Sequence, residues 1–186
     1  MRRKFAGGRE GLPSPLPGRT LAPLGCGAGG TARRFEMADP KANVELAREV
    51  YDRWNARDFD RLAELMANDG EIVLVGSDTR FRGPDGALEF SRMWADAFPD
   101  GRVEIEHTVA SGDYVSVEFT GKGTHTGMLH GAGGDIAPTG RSLTLHLCDF
   151  YEIRSGKIRS LHSYFDSVSM LTQLGIMPEL RVEAKA

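Results

Sequence analysis

Hydrophobic side chains in the first part of the chain recur at intervals of three and four positions, the spacing of one helix face. The pattern predicts a helix over residues 41–57, a short second helix ending at Met66, and a third helix opened by Gly83-Pro84. Between the last two, Asn68-Asp69-Gly70 is typical of a turn and residues 71–76 of a short strand. Helices therefore dominate this part of the chain.

The hydrophobic spacing then changes to two, which is typical of half-buried strands. The predicted strands begin near Val103, Val115, Leu143 and Lys157. A long glycine-rich loop is expected over residues 128–140. Helices followed by a meandering, mostly antiparallel sheet indicate an α+β domain.

The first 36 of the 186 residues differ from the rest in composition and charge. They carry a net charge of +5 and hold eight glycines and four prolines, whereas residues 37–186 carry −8. Such a segment buries too little apolar surface to offset the entropy of ordering it. We expect residues 1–36 to be a disordered extension, with Met37 as a candidate true start, and residues 37–186 to form one domain.

Composition excludes several classes of protein. No apolar run approaches the roughly 20 residues of a membrane span, so no membrane partner is expected. A net charge of −3 gives no case for nucleic acid. Two cysteines, Cys26 and Cys148, make neither a disulfide framework nor a zinc cluster, which fits a reducing cytoplasm. The histidines show no metal-ligand spacing, so no metal is expected.

One hairpin predicts a polar cluster on the last two strands. If Ser155-Gly156 forms a two-residue loop, residues opposite each other are fixed by the turn. The resulting pairs are Asp149 with His162, Leu147 with Tyr164, and Leu145 with Asp166. Directly opposed residues share a face, so Asp149 and His162 would form an acid–base pair. A register shift of one residue would instead place His162 on the opposite face.

Eight short motifs follow one another along residues 41–178. In chain order they are Val50-Tyr51-Asp52-Arg53-Trp54-Asn55, Arg82-Gly83-Pro84, Gly123-Thr124-His125-Thr126-Gly127, Pro138-Thr139-Gly140-Arg141, Asp149-Phe150-Tyr151-Glu152-Ile153, Gly156-Lys157-Ile158, Tyr164-Phe165-Asp166 and Gln173-Leu174-Gly175. In this order they resemble the motifs of the SnoaL-like polyketide cyclases, often labelled ester cyclases, within the nuclear transport factor 2-like fold. The resemblance implies a cone of helices packed on a curved sheet that encloses one pocket. We also expect a homodimer or homotetramer.

The same resemblance implies a reaction. Characterised cyclases of this kind close a ring by intramolecular aldol condensation, without metal or organic cofactor. Asp166 occupies the position of their acid/base residue. Asp149 stands where those cyclases carry a histidine, which is a departure, and His162 stands where they carry a basic residue. The partners of an acid–base pair are therefore exchanged, or the reaction differs.

Physical chemistry supports an aspartate in this role, since burial raises its pKa and makes it a stronger base. We expect Tyr164 and His162 to donate hydrogen bonds to the developing oxyanion. Four more residues are expected to contact an apolar, polyketide-like carbonyl substrate. They are His125, Trp54, Leu145 and Leu147.

Other functions remain open. Asp166 has an alternative role as the N-cap of the final helix, and a solvent-facing Asp166 would favour a noncatalytic protein that binds a small molecule. An epoxide hydrolase of the limonene-epoxide type is less favoured, because residues 115–120 lack the Arg-x-Asp of those enzymes.

Overall fold

The computed structural model describes residues 39–77, 79–131 and 133–178. The predicted extension over residues 1–36, the candidate start at Met37 and the thiol of Cys26 lie outside the described residues. None of the described helices is long and apolar enough to cross a membrane.

The described chain forms four helices and one six-stranded sheet. The bounds are α1 Pro40–Ala56, α2 Phe59–Ala63, β1 Met66–Leu74, β2 Thr79–Arg82, α3 Gly83–Ala97, β3 Arg102–Ser111, β4 Tyr114–Thr124, β5 Ser142–Arg154, β6 Lys157–Phe165 and α4 Ser167–Gln173. The strand order is β2-β1-β6-β5-β4-β3, and β1 and β6 are parallel while the other neighbours are antiparallel. The predicted α+β class, with helices on a curved and mostly antiparallel sheet, is confirmed.

Helix α1 positions one wall of the domain interior. Asp39 caps its first turn by accepting a hydrogen bond from the Lys41 amide at 3.0 Å, and Pro40 occupies the first turn, where no amide hydrogen is needed. Asn43, Ala47 and Tyr51 recur every fourth residue and are buried. The helix packs against β3 and β4, while α3 packs against β1 and β2.

Strand β1 differs from its prediction. The expected turn at residues 68–70 is wrong, because these residues lie within β1, and β2 was not predicted. The strand register shifts between Met66 and Glu71 as β1 pairs with β6. A Cβ atom on Gly70 would lie 2.8 Å from the Ile158 carbonyl oxygen. The glycine therefore permits a close approach to β6, a tertiary requirement that resembles a turn signal in the sequence.

The β5–β6 hairpin begins as predicted and then departs from the expected register. Arg154 pairs with Lys157, but the pairing shifts between Glu152 and Ile153, which leaves Arg159 as the extra residue of a β-bulge. The Arg159 guanidinium binds the Asp69 carboxylate of β1 through two contacts of 2.6 Å. Beyond the bulge every β6 residue is displaced by one position.

Candidate active site

An apolar cavity of about 120 Å³ lies between helices α1 and α3 and the inner face of the sheet. For comparison, an engineered protein cavity of about 150 Å³ admits one benzene molecule. The enclosed space therefore suits a group of the size of a single six-membered ring. Its walls include Tyr51 and Trp54 of α1, Trp94 of α3, and Leu145, Leu147 and Asp149 of β5.

Asp149 is the carboxylate among the described residues that line this cavity. It is 5% exposed and lies on the inner face of β5, between Val117 of β4 and Ser163 of β6. Its Oδ2 atom accepts hydrogen bonds from the Tyr51 hydroxyl at 2.8 Å and the Tyr151 hydroxyl at 3.2 Å. Two tyrosines thus hold one oxygen of the carboxylate in place.

The other oxygen of Asp149 lacks a well-formed hydrogen bond. Oδ1 is buried and has no hydrogen-bond partner among the described residues, although the Ser163 hydroxyl is close enough to lower the pKa of the carboxyl group. A buried carboxylate oxygen without a donor is costly, because it has lost its water without replacing it. A residue that lines the apolar cavity therefore retains one unpaired acceptor for a ligand or for a proton.

Burial raises the pKa of Asp149 to about 6, while the neighbouring hydroxyls of Ser163, Tyr51 and Tyr151 act in the opposite direction. Burial also raises the pKa of both tyrosines, and the Asp149 charge raises them further. The tyrosines consequently stay protonated as donors. Asp149 remains a carboxylate at neutral pH, but it is a stronger base than an exposed aspartate.

Four of the predicted site residues line the cavity. Asp149, Leu145 and Leu147 alternate along β5, and Trp54 lies three residues after Tyr51 on α1. Their placement follows from local periodicity, since residues two apart on a strand share a face. Their roles in binding or catalysis stay predictions.

The predicted pairing of Asp149 with His162 is wrong. His162 pairs with Phe150, and Tyr164 pairs with Cys148, so both side chains lie on the outer face of the sheet. The bulge at Arg159 is the cause, because a shift of one residue moves each β6 side chain to the other face. Tyr164 is 44% exposed, and neither residue lines the cavity, so the expected oxyanion donors are not in place.

Asp166 is also displaced from its predicted position opposite Leu145. It lies after β6, is exposed, and caps α4, where its Oδ1 atom accepts hydrogen bonds from the Val168 amide at 2.9 Å and the Ser169 amide at 3.1 Å. It is not among the residues that line the cavity. The capping role that the sequence left open is the one its geometry supports.

We expect Asp166→Ala to lower the free energy of unfolding by about 1 kcal/mol, the usual cost of losing an N-cap side chain. Asp166→Asn should lose much less, because asparagine also caps helices. Urea denaturation of the two variants measures the difference. Equal stability of the alanine variant and the wild type would contradict the capping role.

His125, which was expected to contact the substrate, lies behind the cavity wall. It is completely buried, and its ring packs against Phe98, with 5.2 Å between the ring centroids. Nδ1 accepts a hydrogen bond from the Thr139 amide at 3.3 Å, which places the ring proton on Nε2. Burial lowers the pKa of His125 and favours this neutral form. The imidazole thus fastens the loop before β5 and has no place in the lining.

Tyr51 and Tyr151 were not predicted as functional residues. Tyr151 could have been found, since it lies two positions after Asp149 and shares its face whatever the register with β6. Tyr51 gave a weaker signal, because a tyrosine on the apolar stripe of a helix usually belongs to the core. The contact of Tyr51 with Asp149 joins residues 98 positions apart and needs the tertiary structure.

A six-stranded sheet covered by helices around an apolar cavity with one buried aspartate defines a nuclear transport factor 2-like, ketosteroid isomerase-like fold. Within it, the chain belongs to the SnoaL-like polyketide cyclase family, whose model matches residues 44–174. The predicted family is confirmed. Among curated proteins, no match was found.

Solved structures agree with this assignment. A proposed SnoaL-like polyketide cyclase from Jannaschia sp. CCS1 is 21% identical, with a TM-score of 0.66 over 80% of this chain and 100% of that one. AclR, a proposed hydroxylase from Streptomyces galilaeus, is 22% identical, with a TM-score of 0.65 over 77% and 91%. IdmH, a proposed polyketide cyclase from Streptomyces antibioticus, is 28% identical, with a TM-score of 0.59 over 72% and 98%. The first two likenesses establish the fold.

Proposed function

We propose that the protein is a cofactor-independent acid/base enzyme that closes a ring by aldol condensation in an apolar, polyketide-like carbonyl substrate, with Asp149 as the acid/base group. The observation that carries the proposal is the free Oδ1 of a buried carboxylate beside an apolar cavity. Family membership supports the reaction class. The role that the resemblance gives to Asp166 passes to Asp149 in this proposal.

The proposed reaction has two proton transfers. Oδ1 of Asp149 removes a proton from the carbon next to a substrate carbonyl, which leaves an enolate and a neutral carboxyl group. The enolate carbon then attacks a second carbonyl of the same molecule and forms the ring bond. The resulting alkoxide takes the proton back from Asp149, which regenerates the carboxylate. No redox partner or leaving group is needed.

The tyrosine pair keeps the carboxylate suited to this task. Tyr51 donates to Oδ2 of Asp149, and Tyr151 is within hydrogen-bond distance of both Oδ2 and the Tyr51 hydroxyl, the latter at 2.9 Å. These contacts fix the side chain while leaving Oδ1 for the substrate. The apolar walls limit water, which strengthens the base and protects the enolate.

The first step can be tested without the natural substrate. Acetophenone carries one aromatic ring and acidic protons beside a carbonyl, and its ring matches the size of the cavity. The enzyme should exchange these protons for deuterium in D₂O, as followed by NMR, faster than buffer alone. Exchange that depends on Asp149 and not on Asp166 supports the proposal; the reverse dependence would restore Asp166 to the role.

A noncatalytic small-molecule-binding protein of the same fold is the second candidate. It is favoured by one observation, the solvent-facing and capping position of Asp166. Binding of acetophenone without any proton exchange would decide for it.

An epoxide hydrolase is less favoured, because the described lining offers one carboxylate, whereas that mechanism uses two aspartates around a water.

We also propose that the chain forms a homodimer or homotetramer in the cytoplasm, through the outer face of the sheet. Val109, Tyr114, Phe150 and Tyr164 of this face are 42–69% exposed, and Tyr114 stacks on Phe150. Exposed apolar surface of this kind is typical of interaction sites.

Phe150→Glu should therefore yield a monomer in size-exclusion chromatography with light scattering. An unchanged mass, with Glu118→Gln as control, would contradict the use of this face.

A further inference from the structure

The charged residues at the cavity wall are not evenly distributed. Among the described residues that line the cavity, only Arg102 and Lys122 are exposed, and both are cations. They pair with each other across β3 and β4, one position beyond the inward-facing pair Val103 and Gly121. Lys122 turns to the outer side, where it binds Glu104, whereas Arg102 reaches Asn55 of α1 at the edge of the cavity. We call this opening, formed by Trp54, Gly101, Arg102 and Lys122, the mouth. Asp149, the acid of the lining, is buried.

A third cation lies beside the mouth. The Arg57 guanidinium lies 4.2 Å from the centre of the Trp54 ring, and its Nη2 atom donates to the Gly101 carbonyl oxygen at 2.8 Å. Burial and the nearby Arg102 charge lower the pKa of Arg57. Nη2 of Arg57 is engaged by backbone carbonyls, and Nη1 is buried without a hydrogen-bond partner among the described residues. Arg57 therefore contributes charge and holds the mouth together.

Arg102 retains free hydrogen-bonding capacity. One of its nitrogen atoms, Nη1, donates to the Asn55 carbonyl oxygen at 2.9 Å, beside Trp54, and it forms no ion pair with any described residue. The two acids that lie two positions before and after it in the sequence are committed elsewhere, since both oxygens of Asp100 accept from Thr124 and Glu104 pairs with Lys122 at 3.0 Å. A guanidinium has five donors in a fork that matches a carboxylate.

We propose that the substrate is amphipathic, with a ring-sized apolar part against Asp149 and a carboxylate held by Arg102 at the mouth. This inference rests on the site of the proposed function and names its substrate class. A cavity of about 120 Å³ cannot enclose a larger molecule, so the remainder must pass through the opening. The charge at the opening then selects what that remainder carries.

The length of such a ligand follows from the strand ladder. Leu145, opposite Gly121 and so one position from Lys122 of the mouth, lies four residues from Asp149 on β5. At about 3.3 Å per residue this distance is about 13 Å. 6-Phenylhexanoate matches it, with a phenyl group for the cavity and a carboxylate at the far end. 6-Phenylhexan-1-ol has the same body without the charge.

Binding of the two compounds tests the proposal independently of catalysis. Both tryptophans of the chain, Trp54 and Trp94, line the cavity, so tryptophan fluorescence reports occupancy, with calorimetry for the dissociation constants. The wild type should bind the carboxylate at least about fivefold more tightly than the alcohol at low salt, with less preference at high salt. Arg102→Gln should remove this preference and leave alcohol binding within about twofold. Arg92→Gln, which removes an exposed arginine of α3, should retain the preference.

Three results would overturn the inference. They are equal affinity of the wild type for both compounds, equal weakening of both by Arg102→Gln, and binding of neither. The second result would show that Arg102 only stabilises the end of α1. Because none of these measurements involves proton exchange, failure here leaves the proposed function standing, and loss of exchange leaves this inference standing.

Discussion

Asp149→Asn is expected to abolish catalysed proton exchange, with a loss of about 10²- to 10⁴-fold, the contribution of a positioned general base. Asparagine has nearly the same shape and can still accept the tyrosine hydrogen bonds at one oxygen. It replaces the free Oδ1 by an NH₂ group, which cannot accept a proton. The measurement is the rate of deuterium exchange into acetophenone, or turnover once a substrate is known.

Asp166→Asn is the matched control, because it makes the same chemical change at an exposed helix cap. We expect its exchange rate to stay within about twofold of the wild type. Exchange by the wild type should also rise with pH through about 6, as Asp149 ionises. An Asp149→Asn variant with full activity would contradict the assignment. If its circular dichroism shows loss of the fold, Asp149→Ser provides a second variant without a carboxylate.

The second large effect concerns stability. The substitution that removes activity is expected to raise the stability of the variant relative to the wild type as the pH rises. The pKa of Asp149 is raised from 3.8 to about 6 in the folded state, so the folded protein binds the proton more tightly than the unfolded chain. The contribution of Asp149 to the free energy of unfolding is therefore highest below pH 4 and falls as the pH rises to about 6. The shift corresponds to about 3 kcal/mol in the free energy of unfolding.

Asp149→Asn removes this dependence, since asparagine does not titrate. The free energy of unfolding of the variant, relative to the wild type, should increase by about 3 kcal/mol between pH 4 and pH 7 and then level off. Urea denaturation at several pH values measures it, and the value at pH 4 serves as the internal control for packing. A difference that is constant with pH would show that the carboxylate is not destabilised by burial.

Together the two results would identify Asp149 as a group kept at the expense of stability. A buried carboxylate with one unpaired oxygen weakens the fold at neutral pH, and residues of this kind persist where function requires them. A variant that is inactive and that gains stability relative to the wild type as the pH rises has the expected signature of a functional site. Replacement of a purely structural aspartate would instead be expected to destabilise the protein.

The α+β class and the inner face of β5 could be read from the sequence, because both depend on local periodicity. The helix with Tyr51 and Trp54 on one face was predicted, as were Leu145, Leu147 and Asp149 on one strand face. Within a helix or strand, the direction of a side chain follows from its position alone. These predictions needed no knowledge of which strands are neighbours.

The pairing of β5 with β6 was decided by tertiary structure. The Ser155-Gly156 turn has the predicted pairing at Arg154 and Lys157, yet the bulge at Arg159 reverses the faces beyond it. Arg159 binds Asp69, and Gly70 admits the close approach of β6, so the bulge depends on β1, a strand some 90 positions away in the chain. No local signal near the hairpin contains that information.

The sequence by itself determined that an aspartate stands on an apolar strand face and that the chain resembles the SnoaL-like cyclases. Only the tertiary structure decided which groups surround that aspartate. It removed His162, Tyr164 and Asp166 from the cavity and brought Tyr51 and Tyr151 to the carboxylate. The physical reason is that side-chain direction is fixed locally, whereas register, burial and the partners of a charge depend on segments far apart in the chain.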